Sequence, residues 1–489
     1  MYHKLGLTGY GFWGSAVGFT QEAPAIVTTA MPSSFGRIHF SGLDLGDARA
    51  NNRIVDLADI LVAAEAESWP DKFANPADYR AFQRIVNRPE ATHESVRAAH
   101  TQLTRDRMAQ ADHVVLIIHD TTELDYSGRS ILGLGQIGNG GGRGWECHNT
   151  LAVNPITGAV LGLANQILHR RPLPGVASTE GVAAKRARVD RESRLWWDGV
   201  NAVGDAPAGR IWIHVNDRGA DSFEYLQQMT VAKRLFVGRS KSNRRLEAAE
   251  GQLDKLHDQI RHLPAQAGWR GEAREGSGRT RPVKLQGCWA TVTLCAPHVR
   301  RGNHTRAGVE VQVIRVWEVE VPPGEKQVEW ILLTNLAVGN ITQMREVVFY
   351  YQRRPIIEEY HKAFKSGCGV ERLQQRGRQA LQAAIGVTAV LAIGLLELRD
   401  LARNPARQNE PAAEVVGEQA VRVLSVWRLG VPMLCWTIRE FLWALGRLGG
   451  HMNRPSDGTP GWQTLWRGLR KLRAMLAYDT KSRPTCGTS

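Results

Sequence analysis

The spacing of apolar positions divides the chain into regions of different texture. From Phe40 to about Ala109 the period is helical: "LGDARANNRIVDLADILVAAEAESW" carries Ile54, Leu57, Ile60, Leu61 and Ala64 at i, i+3, i+4 spacing, and Asp47 stands where an N-cap belongs. Two shorter helical candidates, "PADYRAFQRIVN" and "THESVRAAHTQLTRDRMAQA", follow around the Pro-containing "RPEA", so a small helical bundle of about 70 residues is expected. The pattern then turns strand-like. "HVVLIIHD" (His113 to Asp120) and "RIWIHVND" (Arg210 to Asp217) are β-branched or aromatic runs, each read as ending in an aspartate before a polar turn. Between them "GWECHNTLAVNPITGAVLGLANQIL" predicts two strands about the turn "NPITG", and "KRARVDRESRLWWDGVNAV" predicts a helix. "ADSFEYLQQMTVAKRLFVGRSK" adds a helix and a strand. Strands and helices mixed in this order imply an α/β core with an antiparallel hairpin.

A further region runs from about Arg244 to Leu336, where a polar basic loop, "RGEAREGSGRTRPVK" (Arg270 to Lys284), precedes the strand-like "CWATVTLCA", "GVEVQVIRVWEVEV" and "EWILLTNLAV", a β-rich insert. Helical patterning returns at Thr342 and continues to the end, with a joint at "RNPARQNEPAAE". The longest apolar run, Ala383 to Leu396, covers about 14 residues. It suits a buried helix and falls short of the roughly 20 residues that span a bilayer, so no membrane span is expected. The opening stretch before Arg37 is rich in Gly, Ser, Thr and Pro and reads as a flexible extension; Gly and Pro interrupt the compact apolar core that a signal peptide requires.

Composition narrows the class of partner. With 489 residues, 43% of them hydrophobic, the chain can bury several cores and has the makeup of a globular protein of two to four domains. Its 62 Lys and Arg against 48 Asp and Glu leave a formal charge of +14, which points to a polyanion, nucleic acid ahead of an anionic membrane surface. The six cysteines are scattered without a CxxC pair, which indicates a reducing, cytoplasmic compartment and argues against a zinc site.

One basic stretch carries acids that need explaining. In "YYQRRPIIEEYHKAFKSGCGVERLQQRGR", Glu358 and Glu359 sit among seven Arg and Lys residues. On an ideal helix, Tyr351, Arg354, Glu358 and Lys365 point within an arc of about 60°, whereas Glu359 projects about 100° from Glu358. A solvated, ion-paired helix is the plain reading. A divalent cation on Glu358, flanked by phosphates on Arg354, Lys365 and Tyr351, is the functional one. A single carboxylate is too little for catalytic Mg²⁺, and Asp120 and Asp217, read at the ends of strands of one sheet, are the candidates to complete a two-ion site for phosphoryl transfer.

These motifs, "HDTT" (His119 to Thr122), "DRGAD" (Asp217 to Asp221) and Y-x2-R-x3-E-x6-K (Tyr351, Arg354, Glu358, Lys365), resemble the signature of the insertion-sequence-four family of cut-and-paste DDE transposases. The resemblance extends from near Phe40 to near Ala477 and takes in "RGW" at Arg143, "FVGRSK" at Phe236, "EWILLT" at Glu329, "LGRLGGHM" and "GWQTLW". It implies an extension over 1–38, a helical DNA-end-binding domain over 39–109, an RNase H-like catalytic domain over 110–400 with a β-strand insertion at about 244–336, and a helical dimerisation domain over 401–489. It also implies that Asp120, Asp217 and Glu358 bind two Mg²⁺ or Mn²⁺ ions and that Tyr351, Arg354, Lys365 and Arg239 contact DNA. Trp330 would stack a flipped base beside a hairpin intermediate. The partners implied are terminal inverted repeats, target DNA and a second copy of the chain, at the bacterial nucleoid.

Two departures stand out: Gly219 where relatives often carry Glu, and Pro355 where they carry an aromatic residue. An aspartate at a strand end is commonly a turn residue, Trp330 could be a core aromatic of the insert, and His148, His169 and His361 are given no ligand role. A structure-specific nuclease that does not join ends, and a catalytically inactive end-binding regulator, remain the alternatives to a working transposase.

Overall fold

The computed structural model describes residues 35–482, apart from 65–67, 112, 173–180, 182–183, 186–187, 189, 250–251, 275–279, 299–302 and 455–456. Of the stretch read as an extension, 1–34 lies outside the described residues, whereas 35–38 open a first helix, α1 (Phe35–Phe40), whose two phenylalanines are buried. In α2 (Ala48–Ala63) the Asp47 carboxylate accepts from the amides of Arg49 and Ala50, as its cap position predicts, and Ile54, Leu57 and Leu61 face the core. Helices α3 (Pro76–Val86) and α4 (Ala98–Gln110) follow.

The α/β region comprises β1 (Val115–Asp125), β2 (Gly135–Ile137), β3 (Gly142–Val153), β4 (Val160–His169), α5 (Leu195–Val203), β5 (Trp212–Asn216), α6 (Phe223–Val231) and β6 (Leu235–Arg239). Next come α7 (Leu256–His262), β7 (Ala267–Arg274), β8 (Thr280–Leu294), β9 (Val309–Glu318) and β10 (Glu329–Thr334). The chain ends in α8 (Ile341–Gln352), α9 (Ile356–Lys362), α10 (Arg378–Arg403), α11 (Ala412–Val416), α12 (Glu418–Leu429), α13 (Ile438–Leu448) and α14 (Trp462–Ser482).

All the described strands join one ten-stranded mixed sheet, ordered β2-β3-β1-β5-β6-β10-β9-β8-β7, with β4 also paired to β3. β1, β5 and β6 run parallel. The β-rich stretch continues this sheet, because β10 pairs antiparallel with β6. Side-chain alternation buries both faces of the centre: on β1, Leu116 and Ile118 enter one core with Val215 and Ile357, while Val115 and Ile117 enter another with Met108 and Trp212. Helix α10 is the spine of the first core. Its 26 residues are long and apolar enough to cross a bilayer, but 89% of its most apolar window is buried inside the molecule. Helices α11 to α14 close around a separate cluster that includes Leu398, Val421, Phe441, Leu445 and Leu472.

Two expectations are corrected. β1 does not stop at Asp120; it runs on to Asp125 because Thr121, Thr122 and Glu123 continue the ladder to β3, opposite His148, Cys147 and Glu146. The basic stretch from Arg270 to Lys284 is not a loop throughout. Arg270–Arg274 and Thr280–Lys284 are the arms of a β7–β8 hairpin, with Arg270 opposite Lys284 and Ala273 opposite Arg281, and only 275–279 fall outside the described residues. Exposed Glu272 and Lys284 alternate with buried Ala273, Val283 and Leu285, the period-two pattern of a strand with one wet face, whereas Arg281 shares the inner face and pairs with Glu318.

Candidate active site

The parallel register of β1 and β5 sets up the site. The ladder ends with Ile118 opposite Val215, so Asp120 and Asp217, each two residues further on, emerge on the same side where the two strands part. Asp217 is also the N-cap of a short turn, its Oδ1 accepting from the Gly219 amide at 2.6 Å. A Cβ at residue 219 would stand 2.6 Å from the Trp196 ring and 2.9 Å from that Oδ1, so any larger residue would require one of them to shift.

Glu358 reaches the same point from the first turn of α9. Between α8 and α9 the chain tightens: Arg354 N bonds to Tyr351 O at 3.0 Å, Ile356 N to Arg353 O at 3.0 Å and Glu358 N to Pro355 O at 3.0 Å, a run of three-residue steps. Tyr351 therefore belongs to α8, Arg354 to the turn and Glu358 to α9, so the motif does not lie on one straight helix. Pro355, which has no N–H to give, costs this turn no hydrogen bond.

The motif side chains nevertheless converge. The Arg354 guanidinium lies between Asp120, 3.3 Å from its Oδ2, and Glu358, whose Oε1 accepts from Nη2. Burial pushes the Asp120 carboxyl up to about 7; Arg354 and the Thr121 amide oppose that push, whereas Asp217 and Glu358 add to it. Arg354 thus offsets only part of the effect of burial on Asp120. Glu359 points elsewhere, as its helical angle predicts. Burial alone would raise its carboxyl, but Arg399 at 2.8 Å and Arg403 at 3.8 Å outweigh that and hold it low, tying α9 to α10.

The other expected residues differ in reach. Tyr351 and Trp330 are 5% and 4% exposed and meet edge to face at 5.1 Å, so Trp330 is part of the core and presents no open stacking face as it stands. Arg239 lies beside Tyr351 and donates to Glu329 O at 3.0 Å; burial lowers its pKa. Lys365, on a π-helical turn over Ala363–Gly367, donates to Glu123 O at 2.9 Å and pairs with Glu371 at 3.0 Å.

An open cleft of about 370 Å³ runs along α9 from Glu358, lined by His361, Lys362, Lys365, Ser366 and Glu371. Sequence reading gave His361 no ligand role and Lys362 no place in the site, although 358, 361, 362 and 365 are the i, i+3, i+4, i+7 positions of one helical face. His361 Nε2 hydrogen-bonds with Asn149 Nδ2 at 3.1 Å.

The donor set fits Mg²⁺ in kind, since three carboxylates supply hard oxygen. The spacing as it stands does not close around an ion: among the described residues no three Asp, Glu, His or Cys side chains are grouped to hold one, and Arg354 occupies the space between Asp120 and Glu358.

No protein-family model matches the sequence. Among solved structures, the chain is similar to the piggyBac transposase in a synaptic complex with hairpin DNA, at a TM-score of 0.37 and 12% identity over 95% of this chain and 85% of that one. A likeness that slight leaves the site to be judged on its own geometry.

Proposed function

We propose that the protein is a cut-and-paste DNA transposase of the DDE type, with an RNase H-like core over 110–400, end-binding helices before it and dimerising helices after it. The observation that carries the reading is the β1–β5 register, which sets Asp120 beside Asp217 and lets Glu358 join them through Arg354. The order β4-β3-β1-β5-β6, antiparallel then parallel, supports the RNase H-like part of the reading.

In this reading Asp120, Asp217 and Glu358 would hold two Mg²⁺ or Mn²⁺ ions, which would supply charge for the attacking and leaving oxygens of phosphoryl transfer. Arg354 moves from the carboxylates to a DNA phosphate when the site fills, and Lys362 and Lys365 line the path of the backbone. Water attacks the phosphodiester at the element end and frees a 3′-hydroxyl. That hydroxyl attacks the opposing strand's phosphodiester, forming a hairpin and releasing the flanking DNA with its own 3′-hydroxyl; a second water opens the hairpin and restores the element's 3′-hydroxyl, which then attacks a target phosphodiester and displaces a target 3′-hydroxyl.

The test is incubation of purified protein and Mg²⁺ with a plasmid carrying the DNA that flanks the gene. Hairpin-ended and excised fragments are expected from the wild type, with Glu358→Ala at least about 10³-fold slower and equally able to bind the ends. Cleavage by the variant at the wild-type rate would remove Glu358 from the mechanism. A second reading, an end-binding regulator that does not cut, draws on Arg354 standing between two of the carboxylates. Binding by the wild type without cleavage, in Mn²⁺ as in Mg²⁺, would select it.

A further inference from the structure

Glu359, the neighbour of Glu358 on α9, turns away from the three carboxylates, and a chain of polar groups runs from it back to the sheet. Its carboxylate accepts from Arg399 Nη1 at 2.8 Å and lies 3.8 Å from Arg403. Arg399, which is 1% exposed, donates from Nε to Asp400 Oδ1 at 2.6 Å and from Nη2 to Gly158 O at 3.2 Å. Asp400 Oδ2 in turn accepts at 2.7 Å from the amide of Val160, the first residue of β4. β4 pairs with β3, and β3 with β1, the strand that carries Asp120. The helix bearing Glu358 is thus referred to the strand bearing Asp120 by a path that does not pass through Arg354.

Little in α9 itself fixes its rotation. It spans seven residues, starts from the tight turn without a side-chain cap, and passes at its end into the π-helical turn. Ile357 and Tyr360 bury its inner side, and the Tyr360 hydroxyl donates to Ala389 O at 3.2 Å, which holds α9 against α10. The Glu359–Arg399 bond adds a directional, charge-assisted fastening at the residue next to Glu358. Apolar side chains of similar volume often replace a buried ion pair without loss of stability, so stability alone is a weak reason for one here. Orientation is a stronger one, because rotation of α9 about its axis carries Glu358 across Asp120. We propose that Glu359, held by Arg399, is a positioning residue that keeps Glu358 turned toward Asp120 once Arg354 leaves the two carboxylates for a DNA phosphate. The inference rests on the reading of Asp120, Asp217 and Glu358 as the metal-binding set.

Two variants separate reach from charge, with Mn²⁺ affinity of the full chain on its flanking DNA read from the EPR signal of free Mn²⁺. Glu359→Gln keeps the length and an oxygen for Arg399, and Glu359→Asp keeps the charge but stops one carbon short. Glu359→Gln is expected to bind Mn²⁺ within about threefold of the wild type and Glu359→Asp about 10-fold or more weakly, the usual effect of losing a group that orients a metal ligand. DNA affinity and Tm should stay near those of the wild type in both, and cleavage rates at saturating DNA should follow the same order. Glu359→Asp equal to or better than Glu359→Gln would overturn the positioning role, since a charge that serves only the fold or the local field gives that order. A joint fall of Tm and DNA affinity in both variants would overturn it too, by making the pair part of the fold. Glu358→Ala checks the reading beneath: Mn²⁺ binding absent from the wild type, or unchanged in Glu358→Ala, would remove the metal-site reading and this inference with it.

Discussion

At the scale of single residues, the most unusual feature is a chain of histidines beneath Asp120. His119 Nε2 meets His214 Nδ1 at 2.8 Å, His119 Nδ1 meets His148 Nε2 at 3.4 Å, and His148 Nδ1 meets Thr121 Oγ1 at 2.9 Å, which links β1, β3 and β5 below the carboxylates. Burial pushes His148 and His214 down to about 3 and His119 well below its ordinary value. A base whose folded pKa lies below its unfolded value near 6.5 contributes stability that is present above 6.5 and lost as pH falls toward 3, each group supplying up to about 1.4 kcal/mol per pH unit. Buried His93 and His100 act in the same sense, while the raised carboxyls of Asp120 and Glu146 act in the opposite one and are outnumbered. Unfolding midpoints in urea should therefore fall between pH 6.5 and 5, and His214→Gln should flatten the decline by about one proton; a flat wild-type profile would contradict this account. None of the chain was legible in the sequence. His148 read as an isolated structural histidine, and only the registers of three strands bring its partners to it.

At the scale of elements, the turn between α8 and α9 decides whether the Tyr-Arg-Glu-Lys motif works as spaced. Pro355 is exposed, its missing N–H is not needed, and Arg354 already reaches Glu358. Pro355→Ala is thus expected to lose about 0.4–1 kcal/mol of stability through the freer unfolded chain. Its cleavage rate should stay within roughly a factor of two, the scale of an ordinary surface change. A gain of cleavage from an inactive wild type would instead make Pro355 the lesion. The elements that sequence reading found are those with a clean period: the capped α2, the β3–β4 hairpin about "NPITG", β5, and α6 leading into β6. It missed where tertiary pairing overrides local polarity. β3 carries β1 past Asp120, and the β7–β8 ladder turns a basic stretch into strands. Sequence reading named Asp120, Asp217 and Glu358 together, but Arg354 between Asp120 and Glu358 was not expected, because nothing in helical spacing says which partner a guanidinium chooses.

At the scale of the whole molecule, one sheet ties the β-rich stretch rigidly to the strands that carry Asp120 and Asp217, whereas α11 to α14 bury a cluster of their own. On that cluster's outer surface, the end of α12 and the segment after it leave Val426, Trp427, Leu429, Val431 and Leu434 between 41% and 52% exposed. Five partly exposed apolar side chains within nine residues, among which Arg428 is the one charged residue, have the composition of an interface core, and no described part of the chain covers them. The proposed pairing of two DNA ends requires two copies of the chain, and this surface is where the second would seat. Leu429→Glu combined with Leu434→Glu changes two half-exposed side chains outside the buried cluster, so the variant should keep a Tm near that of the wild type while its self-association on end DNA weakens by at least roughly 30-fold, the effect of losing about 2 kcal/mol at an interface centre. Analytical ultracentrifugation of the protein–DNA complex would read this directly. A dimer as tight as the wild type would move the interface elsewhere on the molecule, and a lowered Tm would show that these leucines serve the fold rather than the partner.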